Sequence, residues 1–354
     1  MNRTEKLVKA LPGGVDAFIT TNEKTCLYLS KFAFSDGMIF LTKSKAYLFT
    51  DFRYIEAAES ETEGFEISTG KRFEEVRDII AAEGIKTVGF EDDLMTVSEL
   101  ESIKKQLSGC EFFPVGSIVR KIAEHKDADE IENIIAAQKI TDEAFTAVVS
   151  LIRPDMTEID VAAEIEYQMK KRGATCPSFE TIAVSGTNSA RPHGVPRNVT
   201  LEKGFLTMDF GCIYKGYCSD MTRTVVIGKA DEEMKRLYNT VLLAQTTAIN
   251  SFKEGMTGKE LDKIARDIID NAGYKGCFGH GLGHGVGMYI HEAPRLSPGA
   301  REGEKLVTGQ IVTVEPGIYI EGKYGCRIED MMIVMPEGPV DITKSRKDML
   351  EICV

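Results

Sequence analysis

The chain has 354 residues and eight cysteines, but no two of these cysteines form a CxxC pair. Zinc sites built from thiolates need closely spaced cysteines, so the sequence gives no support for such a site. We therefore expect reduced, unpaired thiols, as is usual in the cytosol. The cysteines are scattered over positions 26, 110, 176, 212, 218, 277, 326 and 353.

Long apolar runs are missing as well. No uninterrupted apolar stretch approaches the roughly 18 residues of a membrane span, and the first residues hold no signal-peptide core. Acidic residues outnumber basic ones by 55 to 43, and the net charge of −12 disfavours nucleic acid or an anionic membrane surface as a partner. We expect a soluble cytoplasmic protein that binds neither.

The chain exceeds the usual size of one domain, and its patterns change along its length. The first third alternates β-rich runs with helical patterns, residues 117–172 are almost wholly helical in pattern, and β segments interleaved with two helices follow from residue 179. We predict an α/β domain over 1–122 and a second domain over 123–354. The predicted strands of the first domain are 16–20, 37–42, 46–50 and 86–91, and the predicted helices are 73–84 and 96–109, followed in the second domain by 231–253 and 258–272.

Histidines are scarce, with five in the chain, and three of them lie in GHGLGHGVGMYIHEAP, residues 279–294. The glycines at 279–287 alternate strictly, so no G-x-G-x-x-G loop for a dinucleotide can be placed there. Period two predicts an extended strand with His280 and His284 on one side, and the glycines would let another backbone or a ligand approach closely. Leu282, Val286 and Met288 would share that side.

The other histidines carry weaker signals. His291 has the opposite parity to His284, so the chain must bend between Gly287 and His291 if both serve one site. His193 sits between two prolines in a predicted loop, where a lone histidine is either structural or functional. His125, in a charged segment, is predicted to be a solvated surface residue.

Two segments, 207–228 and 313–334, share one pattern and are predicted to be β-hairpins. Each begins Thr-x-acid-x-Gly, turns at a glycine and returns to a second acid. The index sum of Asp209 and Asp220 is odd, which suits an even-length turn such as Lys215-Gly216. The sum of Glu315 and Glu329 is even, which suits an odd-length turn centred near Gly322 or Lys323. Each hairpin can therefore bring its two acids to one face, directly or diagonally opposed.

Four acids inside otherwise apolar strands need a neutralising partner, because a buried unpaired carboxylate costs several kcal/mol. Arg223 and Arg327 are the nearby basic candidates in these segments. One or two divalent cations are the better neutraliser. Four carboxylates and an imidazole are a hard ligand set that suits Mn²⁺, Co²⁺, Fe²⁺ or Zn²⁺, and carboxylates that bridge could hold two such ions.

These residues resemble the ligand set of the methionine aminopeptidase, prolidase and aminopeptidase P metallopeptidases, which have the pita-bread fold. The motifs PHG, MDFG…SDMTRT, HGLGHGVG…HE, VEPG and CRIED carry the resemblance. It implies an α/β (α+β) chain, with a creatinase-like N-terminal domain before a catalytic domain whose mostly antiparallel curved sheet is covered by helices. The implied metal ligands are Asp209, Asp220, His284, Glu315 and Glu329.

The resemblance also implies a role for each site residue. Asp209 would chelate one of two divalent ions, Asp220 and Glu329 would bridge the pair, and His284 and Glu315 would complete the second. His284 is assigned because the family's metal histidine lies seven positions before the histidine of the HE dipeptide. Glu315 would also shuttle protons, His193 and His291 would contact substrate and stabilise the tetrahedral intermediate, and His280 would lie near the substrate.

The implied activity is metal-assisted amide hydrolysis, with Mn²⁺ as the expected ion and a homodimer as the expected assembly. The N-terminal domain and the HGLGH element favour an Xaa-Pro aminopeptidase, which releases the first residue of peptides with proline in second position. An Xaa-Pro dipeptidase is the alternative, because Arg295 could clamp the free carboxylate of a dipeptide. A non-catalytic or metal-free creatinase-like protein is a distant third, since it would be expected to lack several of the ligands.

Overall fold

The computed structural model describes residues 2–352, and the chain divides into two compact units, Met1–Ala123 and Glu124–Val354. The seven cysteines within the described residues are all free thiols, as predicted, and Cys353 lies outside them. No helix of the described residues is long and apolar enough to cross a membrane.

The first unit is built on a six-stranded mixed sheet with strand order β4-β3-β2-β1-β5-β6. Strand β2 is antiparallel to β1 and β3, and the remaining pairs are parallel. Its strands are β1 Ala17–Thr20, β2 Met38–Thr42, β3 Ala46–Phe49, β4 Phe65–Ser68, β5 Thr87–Phe90 and β6 Glu111–Pro114. Its helices are α1 Arg3–Ala10, α2 Glu23–Ser30, α3 Ile55–Glu61, α4 Arg72–Glu83, α5 Val97–Gln106 and α6 Gly116–Ala123.

All four predicted strands and both predicted helices of this unit are present. Helices α1, α2 and α3 and strands β4 and β6 were not predicted. The three helices span only seven or eight residues, too short for a clear apolar period. The first two are capped by Asn2 and Asn22, whose side chains accept the amides of Glu5 and Thr25, the third residue of each helix.

The second unit has four long helices in two packed pairs. Helix α7 spans Ala128–Leu151, α8 Glu158–Lys171, α9 Glu232–Ser251 and α10 Gly258–Ile269. The side chain of Thr157 accepts the amide of Asp160 and caps the start of α8. Its shorter elements are a 3-10 turn at Gly186–Ala190 and a π turn at Asp270–Tyr274. Its strands are β7 Cys176–Pro177, β8 Ile182–Ser185, β9 Gly204–Phe210, β10 Cys212–Tyr214, β11 Tyr217–Cys218, β12 Met221–Ile227, β13 Gly283–Gly285, β14 Glu292–Leu296, β15 Ile311–Val314, β16 Gly317–Ile320, β17 Tyr324–Arg327, β18 Asp330–Ile333, β19 Val340–Asp341 and β20 Glu351–Ile352.

Among these described strands, only the pairing of β12 with β20 is parallel. The main sheets have orders β20-β12-β9-β8 and β14-β13-β15-β18-β19. Helices α7 and α8 cover one core, to which β9 contributes Leu206, Met208 and Phe210. Because strand side chains alternate, Asp209 points away from this core and into a cavity.

Candidate metal centre and active site

The first predicted hairpin is present and turns at Lys215-Gly216, as expected. Both turn residues have positive φ, 48° and 86°, which is typical of the tight turn that matches strand twist. Thr222 lies opposite Asp209 in the register of β9 and β12. Asp220 is therefore diagonal to Asp209, and both carboxylates line the same cavity.

The second hairpin has the predicted register throughout. Val314 faces Asp330 in one paired segment and Gly317 faces Arg327 in the next, with the turn at Gly322, whose φ is 73°. Glu315 and Glu329 lie in the gap between these segments, where pairing to each other is interrupted.

The amides of these two acids donate to neighbouring strands instead. The amide of Glu315 donates to the carbonyl of Leu282 at 2.8 Å, and that of Glu329 donates to the carbonyl of Thr222 at 3.1 Å. The second hairpin is thereby joined to the first hairpin on one side and to the glycine-rich segment on the other. The four acids meet at this junction.

The glycine-rich segment differs from its prediction, because only Gly283–Gly285 is a strand and His280 lies in a bend before it. Leu282 packs in the core formed with α9 and α10, whereas His284 lines the cavity, so these residues do not all share one side. A register shift between His284 and Gly285 also breaks the regular alternation. The prediction of one strand with a uniform face over 279–287 was wrong for this reason.

The close approach that the glycines were predicted to allow is confirmed. A Cβ on Gly283 would lie 2.1 Å from the carbonyl oxygen of Thr313, and one on Gly285 would lie 2.1 Å from that of Ala293. Neighbouring backbones therefore occupy the space of a side chain at both positions.

The predicted bend between Gly287 and His291 is confirmed, since residues 287–291 turn before β14 begins. It brings the ring of His291 to 4.5 Å from the ring of His284, centroid to centroid. Glu292 folds back into the bend and accepts the amide of Tyr289 at 3.0 Å, while Lys126 pairs with its other oxygen at 2.6 Å.

Hydrogen bonds distinguish the two histidines of HGLGH. The Nδ1 of His284 lies 3.0 Å from the carbonyl oxygen of Gly285, which only accepts, so Nδ1 carries the proton and Nε2 presents its lone pair. That Nε2 lies 3.4 Å from Glu315 Oε1 and 3.6 Å from Asp220 Oδ2. In His280 the Nδ1 donates to the carbonyl of Gly281 at 2.8 Å, and the Nε2 accepts a hydrogen bond from the hydroxyl of Tyr319 at 2.9 Å. His284 is therefore the one with a nitrogen free to bind a cation.

Asp220, His284 and Glu329 each place one ligand atom within 4.8 Å of the others, and all three are buried. With Asp209 and Glu315 they line a cavity of about 680 Å³. His193, His280, His291 and Arg295 line the same cavity, so every residue that the sequence proposed for the site is brought to it.

Burial controls the protonation of this cluster. It raises the pKa of Glu315 to about 8, and burial together with the neighbouring acids raises the pKa values of Asp220 and Glu329 well above their usual range. It also lowers the pKa of His284 to about 4, so its imidazole is neutral at pH 7. The raised pKa values show that these carboxylates favour protons when no metal is bound. A divalent cation would neutralise them instead, so the ligand set fits divalent metal.

The protein's own cations leave the cluster only partly neutralised. Arg327 donates to Asp209 Oδ2 at 2.6 Å, to the Tyr319 hydroxyl at 2.6 Å and to Thr222 at 2.9 Å. The other oxygen of Asp209, Oδ1, is buried without a hydrogen-bond partner. Arg223, the second candidate, pairs with Asp330 at 2.7 Å instead.

Three residues that orient the site were not predicted from the sequence. Thr222 donates to Glu329 Oε2 at 2.7 Å, and Thr313 donates to Glu315 Oε1 at 3.1 Å. Tyr319 links Arg327 to His280. The alternation of the hairpins could have placed the two threonines, because each has the same parity as an acid on its own or the facing strand.

The model of metallopeptidase family M24 matches residues 132–336, and that of the creatinase/prolidase N-terminal domain matches residues 3–122. The chain belongs to metallopeptidase family M24. This M24 chain is 42% identical to the solved Xaa-Pro dipeptidase from Bacillus anthracis, with a TM-score of 0.93 over 99% of each chain. It is 36% identical to the solved X-Pro aminopeptidase from Thermotoga maritima MSB8, with a TM-score of 0.93 over 99% of this chain and 100% of that one.

Among curated relatives, the Xaa-Pro dipeptidase of Pyrococcus horikoshii is 37% identical over 98% of each chain. These matches confirm the predicted fold class, in which a creatinase-like domain precedes a pita-bread catalytic domain. They also confirm that this M24 chain is a hydrolase of the metallopeptidase class, a class that uses divalent metal.

Proposed function

We propose that this chain hydrolyses the peptide bond before proline, with two divalent cations held by its four acids and His284. The observation that supports it is the grouping of Asp220, Glu315 and Glu329 around a histidine nitrogen whose lone pair is free, with Asp209 lining the same cavity. Asp209 would hold one ion, Asp220 and Glu329 would contact both, and His284 and Glu315 would hold the other. Such cations acidify water and polarise the scissile carbonyl. Manganese is the ion we propose, and a homodimer is the assembly we expect.

The chain's own groups would move protons and hold the substrate. Glu315 accepts the Thr313 hydroxyl and lies beside His284, so its carboxylate is fixed where a proton can be taken and returned. His291 packs on His284, and burial, followed by the charges of Arg295 and His193, lowers its pKa. A neutral imidazole there can donate one N–H to the developing oxyanion, and His193 lines the same cavity.

Arg295 makes dipeptides the better supported substrate. It is exposed on β14, opposite His284 in the strand register, and its side chain lines the cavity. Among residues 2–352 its guanidinium makes no ion pair, so it is available for the free carboxylate of an Xaa-Pro dipeptide. We therefore place the dipeptidase first. The aminopeptidase is the second candidate, because the Thermotoga relative has the same TM-score of 0.93.

Replacing Arg295 by methionine tests this assignment. We expect KM for an Xaa-Pro dipeptide to rise about tenfold, which corresponds to one charge-assisted hydrogen-bonded pair, while kcat changes little. The matched control is the same dipeptide with a C-terminal amide, which has no carboxylate and should be hydrolysed equally by both forms. Steady-state kinetics on dipeptide, amide and an Xaa-Pro-Yaa tripeptide would decide. Efficient cleavage of the tripeptide, with no effect of the substitution on the dipeptide, would favour the aminopeptidase.

A further inference from the structure

The loop that carries His193 is closed around one buried carboxylate, that of Glu158. We infer that Glu158, the first residue of α8, is a positioning residue that holds His193 in the active-site cavity. We call residues 186–197 the His193 loop. The inference rests on the proposed role of His193 in binding substrate, and it adds a residue that contacts neither substrate nor metal ligand.

The first oxygen of Glu158 anchors both ends of the His193 loop. Its Oε1 accepts the amide of Ser185 at 2.7 Å and the Ser185 hydroxyl at 2.9 Å, directly before the loop begins. It also accepts Nη2 of Arg197 at 2.8 Å, where the loop ends.

The second oxygen anchors the middle and the end of the loop. Glu158 Oε2 accepts Nδ2 of Asn188 at 3.0 Å, the amide of Arg197 at 2.8 Å and its Nε at 3.0 Å. The side chain of Glu158 is 0% exposed, so these six hydrogen bonds replace its whole hydration shell. A carboxylate with this many donors has one stable position, and the donors are fixed with it.

Further hydrogen bonds within the loop fix the backbone next to His193. Asn188 Nδ2 also donates to the carbonyl of Val195 at 3.1 Å, and the amide of Gly194 donates to that of Arg191 at 3.0 Å. On its other side the loop meets the second hairpin, where Arg327 donates to the carbonyl of Pro192 at 3.3 Å. The backbone on both sides of His193 is therefore fixed between Glu158 and the hairpin that bears the metal ligands.

Glu158 is in turn fixed by its helix. The preceding Thr157 and the following Asp160 form a reciprocal cap at the start of α8, and the amide of Glu158 donates to the carbonyl of Val199 at 3.2 Å. Helix α8 therefore provides a rigid support for a loop that has no regular structure of its own at His193.

The test is a double-mutant cycle on the full-length, metal-loaded protein, with Glu158→Gln and His193→Ala. The amide keeps the shape but cannot accept at both atoms, so two or more donors lose their partner. Because a displaced catalytic group costs on the order of 10- to 100-fold, we expect each single variant to lower kcat/KM for an Xaa-Pro dipeptide by that factor. In the His193→Ala background, Glu158→Gln should have no further effect, because its action runs through His193. Bound metal should equal that of the wild type in all four proteins.

Three results would overturn the inference. Wild-type activity in Glu158→Gln would show that the hydrogen bonds to the Glu158 carboxylate are not needed for catalysis. If the decrease in kcat/KM of the double variant equals the product of the two single decreases, Glu158 acts on the fold and not through His193. Unchanged activity in His193→Ala would remove the proposed role of His193 and this inference with it, whereas the other two results leave that role intact.

Two further variants provide an alternative to Glu158→Gln and a control for it. If Glu158→Gln does not fold, Asn188→Ala removes one donor to Glu158 and the contact with Val195, and should show the same coupling to His193→Ala. The matched control is Glu91→Gln, a second buried carboxylate that accepts two threonine hydroxyls in the first unit. It should lower the melting temperature without changing kcat/KM, and a loss of activity there equal to that of Glu158→Gln would also contradict the inference.

Discussion

Substituting His284 by alanine is expected to slow the hydrolysis of Xaa-Pro dipeptides strongly and to weaken metal binding. Metal ions contribute several kcal/mol of transition-state stabilisation, so loss of a ligand corresponds to a decrease of about 10²- to 10⁴-fold in kcat. The physical reason is the free lone pair on Nε2, which lies 3.4 Å from Glu315 and 3.6 Å from Asp220. Metal content after dialysis and steady-state kinetics measure both effects.

His280 supplies the matched control, since it belongs to the same HGLGH segment and lines the same cavity. Its Nε2 is already bonded to Tyr319 at 2.9 Å, so His280→Ala should keep the bound metal and lower activity less than His284→Ala does. Equal metal loss in the two variants would contradict the assignment, and so would a His284→Ala protein that keeps its full metal content.

Removing the metal is expected to make the protein less stable as the pH rises from 6.5 to about 8. The pKa of Glu315 is raised by burial from 4.5 to about 8 in the folded, metal-free protein. Its contribution to stability is therefore complete below the unfolded value of 4.5 and is lost as the pH rises through about 8. His280 and His284 act in the opposite direction, because burial lowers their pKa values from 6.5 to about 4, but above 6.5 both are mostly neutral in either state.

Thermal melts with excess chelator or excess Mn²⁺ across this range test the expectation. The metal-free melting temperature should fall with pH, and the stabilisation by Mn²⁺ should grow, because binding displaces protons from the acids. Glu315→Gln is the control: it has no charge to gain, so its metal-free melting temperature should depend less on pH. A wild-type curve that rises with pH, or coincides in slope with that of the variant, would rule out a protonated Glu315.

The hairpins and their acids were predictable from sequence because strand geometry is local and periodic. The parity of Glu315 and Glu329 determined an odd-length turn, and the structure has it at Gly322. The bend before His291 followed from the same rule, since a regular strand would have pointed that ring away. In both cases one property, alternation, decides which residues share a face.

Features that depend on distant contacts could not be predicted in this way. The glycine segment forms a strand only at Gly283–Gly285, because its pairing partners lie elsewhere in the chain and impose a register shift. In the sequence, Glu158 is an ordinary residue of the first turn of a helix. Its proposed role depends on hydrogen-bond donors located 27 to 39 residues further along the chain. The role of Tyr319 likewise depends on Arg327 and His280, which hydrogen-bond to its hydroxyl only in the folded chain.

The requirement for two divalent cations, bound by the four acids and His284, is the basis of the proposed Xaa-Pro hydrolysis. Its most direct test is a titration of the metal-free protein with Mn²⁺, with bound manganese and dipeptide hydrolysis measured in the same samples. We predict no activity without metal, and activity that rises with occupancy and saturates at two ions per chain. Full activity in the metal-free protein, or saturation with manganese that leaves the protein inactive, would show that metal at this site does not support the hydrolysis.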